Sequence, residues 1–293
     1  MPTTNLRGIS SMLAAVTTFA VMDVLLKTLS EDYPAMQVTF LRGIASLPLL
    51  LAANAMFGRW RDLIAKRWHL HVMRGLLSVM VLWCFVYAVS QLSLANAYSI
   101  FMSAPLLITA LSVPILRERV GWQQWLAIFV GLTGVIIVLK PTGAGLVTIG
   151  GLAALASAAG YAISAITIRI LTRTDSSAAT VFWTLFFLTI ISGAVASMRW
   201  VPVQWDHWYL IAGLGISGAL GQYFMTEAFR LAPPPVVAPL EYTALAWGML
   251  FDWLLWATAP GLRMLAGAFV IVASGIYIIH RERFASAALQ QQH

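Results

Sequence analysis

Two charge-free apolar runs, Leu94 to Leu116 and Trp122 to Leu139, constrain this chain more than any other feature. They flank a short charged turn, Arg117-Glu118-Arg119. Each run is about 20 residues, the length a helix rising about 1.5 Å per residue needs to cross about 30 Å of hydrocarbon. The pattern predicts a membrane helical hairpin whose turn sits in water. Composition extends that reading to the whole chain, which is 60% hydrophobic and only 10% charged, against about 25% charged in ordinary globular domains. A soluble fold has no place for so much apolar surface, whereas a lipid-embedded one needs none. Tryptophans gather at membrane interfaces. Trp60, Trp68, Trp122, Trp125, Trp200, Trp205, Trp208 and Trp256 all fall near expected helix ends.

Taken in order, the apolar runs predict spans at 8–29, 34–57, 71–90, 94–116, 121–139, 148–170, 177–198, 208–229, 234–257 and 262–280. The connections are short, so the chain is expected to be an all-α integral membrane protein of ten transmembrane helices with no soluble catalytic domain. Lys and Arg favour cytoplasmic loops. With the N-terminus inside, Arg7, Arg59, Arg61, Lys66, Arg67, Arg74, Arg117, Arg119, Arg169, Arg173, Arg230, Arg281 and Arg283 fall on the cytoplasmic side, and only Lys140, Arg199 and Arg263 outside. Both termini are therefore expected in the cytoplasm. The early run could be read as a signal peptide, but Asp23 and Lys27 interrupt it and its length suits a retained span. The net charge of +7 is distributed by topology rather than interleaved with aromatics in a soluble module, so a nucleic-acid partner is not expected. The single cysteine, Cys84, excludes an intrachain disulfide, and no metal site is expected.

Sliding the chain on itself by about 140 residues reveals a repeat. Phe19-Ala20 meets Tyr161-Ala162, Lys27 meets Arg169, and Phe40 meets Phe182. Trp68, Gly75 and Ala88 meet Trp208, Gly215 and Ala228, and Gly134 meets Gly275. Each copy holds five helices. Five is odd, so the second copy enters the membrane from the opposite side, giving two inverted-topology five-helix repeats. Secondary transporters are often built this way, with substrate near mid-membrane at the repeat interface. A duplicated protein that transports nothing is the bland alternative.

The layout of Pro105, Glu118, Gly131 and Gly134 in the hairpin resembles the closing half of an EamA repeat, a unit of the drug/metabolite transporter superfamily. The first copy is similar to an EamA unit over 8–141 and the second over 148–280, leaving 281–293 as a short cytoplasmic tail. Ala228-Phe229-Arg230-Leu231-Ala232, leading to Ala238-Pro239-Leu240-Glu241-Tyr242, resembles the family's approach to its ninth helix. Thr258 stands where the second copy's counterpart of Glu118 would fall, a departure from the family pattern. The aromatic and polar balance looks most like the YddG-type aromatic amino-acid exporters. The resemblance implies that helices 1, 3, 4, 6, 8 and 9 line a central cavity, and that the chain sits in a bacterial inner membrane.

Ionisable residues deep in a span are costly and mark functional positions. Asp23 and Arg42 each lie near 10–12 Å from the outer ends of their helices at about 1.5 Å per residue, so a pair is geometrically possible. Lys27, at i+4, is placed to share Asp23. The set reads either as a structural ion pair or as a coupling site. Glu241 follows Pro233, Pro234, Pro235 and Pro239, which free backbone carbonyls in that turn. It suits an ammonium group or proton exchange, or else it bonds the freed backbone. Aromatic and polar candidates for the cavity wall are Trp83, Tyr87, Tyr98, Phe101, Tyr161, Ser164, Gln222, Tyr223 and Tyr242. Such stripes also arise from plain helix packing. An aromatic cavity with few charges suits an amphipathic zwitterion.

No Gly-rich phosphate loop is present, so ATP-driven transport by this chain is not expected; neither is a cofactor. The expected function is a secondary transporter exporting small amphipathic metabolites, aromatic and other apolar amino acids foremost, by alternating access. The nearest rival is export of drugs or other metabolites by the same superfamily. An intramembrane enzyme or a membrane receptor is a more distant one: the histidines all fall near helix ends or outside, away from any acid–base constellation. The partners expected are a small-molecule substrate and the lipid bilayer.

Overall fold

The computed structural model describes residues 2–56, 60–92, 94–117 and 148–257, with scattered positions from 121 to 133 and from 262 to 273. The expected fifth and tenth spans therefore lie largely outside the described residues, and so do Arg59, Glu118, Gly131, Gly134, Thr258 and the tail 281–293. Every regular element among the described residues is helical. α1 is Pro2–Leu29, α2 Ala35–Met56, α3 Trp68–Gln91, α4 Leu94–Phe101 and α5 Ala104–Leu116. After 148 come α6 Ile149–Leu171, α7 Ser177–Ala196 and α8 Trp208–Leu231. A one-turn helix Pro234–Val237 and a 3-10 segment Ala238–Thr243 then lead into α9, Ala244–Trp256. Among the described residues, five stretches are long and apolar enough to cross a bilayer: Asn5–Leu29, Ala35–Met56, Trp68–Gln91, Ile149–Leu171 and Ser177–Arg199.

Two expected spans are interrupted. The run 94–116 stops at Phe101 and restarts at Ala104, with Ser103 as N-cap and Pro105 in the first turn of α5. Proline tolerates that position because its missing N–H would have no intrahelical partner there. The run 234–257 begins with Pro234, Pro235 and Pro239 and settles into α-geometry only at Ala244. The two breaks occupy equivalent places, since α5 starts at Ala104 and α9 at Ala244. Both helices also end on a left-handed residue, Arg117 at φ 56° and Ala257 at φ 52°. α3 and α8 begin at Trp68 and Trp208, and end at Gln91 and Leu231. The duplication is written into the element boundaries as well as the residues.

Most packing runs between the copies. α1 lies antiparallel to α8: a Cβ on Gly8 would meet Ala232 Cβ at 2.5 Å, one on Gly221 the Phe19 ring, and one on Gly213 the Leu25 side chain. The equivalent seam joins α6 to α3, where a Cβ on Gly160 would meet Met80 and Val81 and Ser157 donates to the Val81 carbonyl at 2.8 Å. α2 packs antiparallel on its own counterpart, α7, through Gly43 against Thr189 and Gly193 against Phe40. α2 also meets α8, where Gly215 sits on Ala45 and Ser46 donates to the Gly215 carbonyl at 2.9 Å. Lipid tails offer no hydrophobic reason for helices to associate, so small residues that permit close approach and hydrogen bonds across the seams hold them together.

Candidate substrate cavity

Between these seams lies a cavity that is partly open to solvent. Its walls come from α1, α2, α3, α4, α6, α8 and the 3-10 segment, and two polar poles stand out. At the first, Tyr98 of α4 donates to Asp23 Oδ2 of α1 at 2.6 Å. Arg42 of α2 faces the same space, 5% exposed, and its Nε has no hydrogen-bond partner. The guanidinium rests against Gly218, where a Cβ would lie 3.1 Å from Nε, and its Cζ sits 5.9 Å from the centroid of the Phe19 ring. Asp23 and Arg42 feel each other's charge, but among the described residues they do not close an ion pair.

At the second pole Tyr161 of α6 donates to Glu241 Oε1 at 3.0 Å and lies 3.6 Å from Met225 Sδ. Arg74 of α3 lines the cavity too, with Nη1 donating to the Thr180 carbonyl at 2.9 Å and to Thr184 Oγ1. A row of rings connects the poles. Tyr98 to Phe85 is 5.9 Å between centroids, Phe85 to Phe101 5.4 Å, and Phe101 to Tyr161 5.3 Å. Each pole thus joins a carboxylate and a tyrosine across equivalent elements of the two copies, the first with its acid on α1 and tyrosine on α4, the second with tyrosine on α6 and acid on the 3-10 segment before α9. Burying a carboxylate in a span costs several kcal/mol unless donors compensate it. One phenol supplies each acid with a single bond.

Of the residues picked from sequence, Asp23, Arg42, Tyr98, Phe101, Tyr161, Ser164, Gln222 and Glu241 come together around this cavity. The others lie elsewhere. Trp83 is 45% exposed and Tyr223 41% exposed, both on outward faces of their helices, and partly buried Tyr87 is also outside the wall. Tyr242 is wholly buried behind the wall, packed with Phe85 and Ala88, and Lys27 belongs to the last turn of α1. The wall residues of α3 are Arg74, Ser78, Val81, Leu82 and Phe85, an i, i+4, i+7, i+8, i+11 stripe. Trp83 and Tyr87 have the same spacing on another face. In a membrane helix both the lipid face and the packed face are apolar, so periodicity fixes a stripe without fixing its direction.

Arg74 is the cavity-lining residue that sequence reasoning misplaced. Counted among the cytoplasmic loop charges, it is instead wholly buried in α3, 1% exposed. The readable signal was its helical register with Ser78, Val81 and Phe85. His71, one turn nearer the start of α3, is also buried, with Nε2 3.4 Å from Asp175 Oδ1.

A multi-pass helical bundle with a duplicated architecture, inward-facing charge and an aromatic cavity defines a membrane transporter. The sequence matches the EamA-like transporter family over residues 6–140 and again over 148–280, so the chain belongs to that family. It is 29% identical to an uncharacterized transporter of Helicobacter pylori over 95% of this chain and 96% of that one. It is 26% identical to the pseudopaline exporter CntI of Pseudomonas aeruginosa, over 92% and 94% of the two chains. It is also 26% identical to the S-adenosylmethionine uptake transporter of Rickettsia conorii, over 99% and 97%. A protein of known crystal structure shares the fold, with a TM-score of 0.77, 19% identity and coverage of 97% of this chain and 98% of that one. The chain is a transporter rather than an enzyme.

Proposed function

We propose that this protein is a secondary transporter of a bacterial inner membrane that exports small amphipathic metabolites, with aromatic and other apolar amino acids as its main substrates. The observation that carries this reading is a cavity holding the Arg42 guanidinium, whose Nε has no hydrogen-bond partner among the described residues, together with a carboxylate and a row of aromatic rings. A free amino acid complements all three. Its carboxylate matches the planar fork of Arg42, its ammonium group compensates Asp23, and its side chain lies on the rings. Ten spans in two inverted five-helix repeats, over 8–141 and 148–280 with both termini in the cytoplasm, supply the machinery for alternating access. The equivalence of the α1–α8 and α6–α3 seams supports this, because either seam loosens against similar contacts.

A second reading is favoured by the relatives named as carriers of S-adenosylmethionine and pseudopaline. On that reading the substrate is a larger metabolite. Flux of labelled Phe, Trp, Met and S-adenosylmethionine into proteoliposomes separates the two. Uptake of Phe or Trp above protein-free vesicles supports the first, and uptake of S-adenosylmethionine alone transfers the assignment to the second. Flux of none of the four removes both.

A further inference from the structure

The two poles differ in how much of their chemistry is already satisfied, and they sit at different heights. Along the antiparallel α1–α8 seam, Phe19 is level with Gly221 and Gly8 with Ala232, which sets Met225 level with Ala15 or Val16. Tyr161 and Glu241 meet beside Met225. Asp23 is therefore about seven residues, or about 10 Å, farther along the axis at about 1.5 Å per residue. The pole at Asp23 has the free guanidinium of Arg42. At the pole of Glu241 the nearby guanidinium, Arg74, is tied to α7 through Nη1, which donates to the Thr180 carbonyl and Thr184, although its Nε has no hydrogen-bond partner among the described residues. Among the described residues no basic side chain lies within ion-pair distance of Glu241, whose one bond comes from Tyr161.

We infer that the substrate lies lengthwise in the cavity, its amino-acid head on Arg42 and Asp23 and a second positive centre on Glu241, which makes the preferred class α-amino acids whose side chain ends in a cation. This rests on the amino-acid reading above and narrows it. The head belongs at Arg42 because its Nε has no hydrogen-bond partner among the described residues, whereas Arg74 commits Nη1 to the Thr180 carbonyl and Thr184. The middle of the ligand lies along Phe85 and Phe101, where an apolar or aromatic spacer is favoured. Its far end meets a buried carboxylate lacking a basic partner, and a cation there gains a charge-assisted bond that a hydrocarbon end does not. Phenylalanine fills the head site and spacer but stops short of Glu241; 4-(aminomethyl)phenylalanine adds the missing ammonium group.

The test measures binding of both amino acids to the full-length protein in lipid nanodiscs, by intrinsic tryptophan fluorescence. The aminomethyl compound is expected to bind about tenfold more tightly than phenylalanine, the size of one good charged contact. Glu241→Gln brings that ratio to about one, Glu241→Asp retains the preference, and Arg42→Lys weakens both ligands together. Equal affinities in the unaltered protein, or a preference that survives Glu241→Gln, overturn the inference and leave amino-acid transport standing. Binding of neither compound overturns the amino-acid head site itself, and the proposed substrate class with it.

Discussion

Tyr33 and Asp175 occupy equivalent places in the two copies, each just beyond the first helix of its half, and each clasps a loop of the other copy. The Tyr33 hydroxyl meets His207 Nδ1 at 2.8 Å and accepts from the Gln204 N–H at 3.0 Å. Asp175 Oδ1 accepts from the Lys66 N–H at 2.6 Å and lies 3.4 Å from His71 Nε2. The clasps sit at the two ends of α2, so that helix and its partner α7 are tied across both ends of the bundle. Gln37 reinforces one of them, exchanging hydrogen bonds with both the carbonyl and the N–H of Val201.

The Asp175 clasp makes stability depend on pH. Burial pushes the Asp175 carboxyl up, but hydrogen bonds from the Lys66 N–H, the Thr174 hydroxyl and His71 outweigh it and hold the group below its ordinary value of 3.8. A carboxylate with a depressed folded value contributes fully above the unfolded value and loses that contribution as pH falls through the folded one. Asp175→Asn is expected to cost about 1–3 kcal/mol near neutral pH. Thermal unfolding in detergent micelles should show the gap between variant and parent closing only below 3.8.

Two glycines of α8 should respond differently to the same substitution. A Cβ on Gly215 would lie 2.6 Å from Ala45 Cβ and 2.8 Å from its carbonyl carbon and oxygen, whereas one on Gly213 would meet the Leu25 methyls at 3.1 and 4.0 Å. Backbone cannot step aside as a leucine methyl can. Gly215→Ala is expected to destabilise by about 1–3 kcal/mol, and Gly213→Ala by less than half of that. Unfolding midpoints of the two variants, measured side by side, check the difference.

Removing the phenol at either pole strips a buried acid of its one donor. Tyr98→Phe and Tyr161→Phe are each expected to lower stability by about 1–3 kcal/mol, the cost of leaving a buried acceptor unsatisfied. The double variant should approach the sum, since the poles share no hydrogen bond. Strongly sub-additive losses in detergent unfolding would mean that the poles act as one unit.

The two faces of α3 are separable by transport kinetics. Phe85 stands in the cavity wall between Tyr98 and Phe101, while Trp83 is on an outward face. Phe85→Leu is expected to raise the substrate KM about threefold or more through lost aromatic contact. Trp83→Leu should leave KM unchanged; a matching rise there would return Trp83 to the substrate path.

Much of the site was legible before the fold was known. Asp23, Arg42 and Glu241 stood out as charges inside apolar runs, and a lipid environment leaves few reasons for such residues. Phe101 and Tyr161 were legible through the repeat and their aromatic character. Arg74 was not, because a basic residue near a helix end satisfies the loop-charge rule equally well from either side of the interface. Trp83 and Tyr223 attracted attention for their residue type, yet helix rotation turned them outward. The break between Phe101 and Ala104 was hidden as well, because Pro105 also fits a continuous kinked helix.

The sequence alone determined that this chain is a duplicated membrane protein, since apolar length and repeat spacing depend on the bilayer and on ancestry and not on any long-range contact. Tertiary structure alone decided which face of each helix looks inward, which tyrosine meets which acid, and that Arg42 Nε has no hydrogen-bond partner among the described residues while Arg74 is tied to α7. Those outcomes depend on helix rotation and height at the seams. Local sequence leaves both free where lipid and protein interior are equally apolar; close approach at Gly8, Gly160 and Gly215 fixes them.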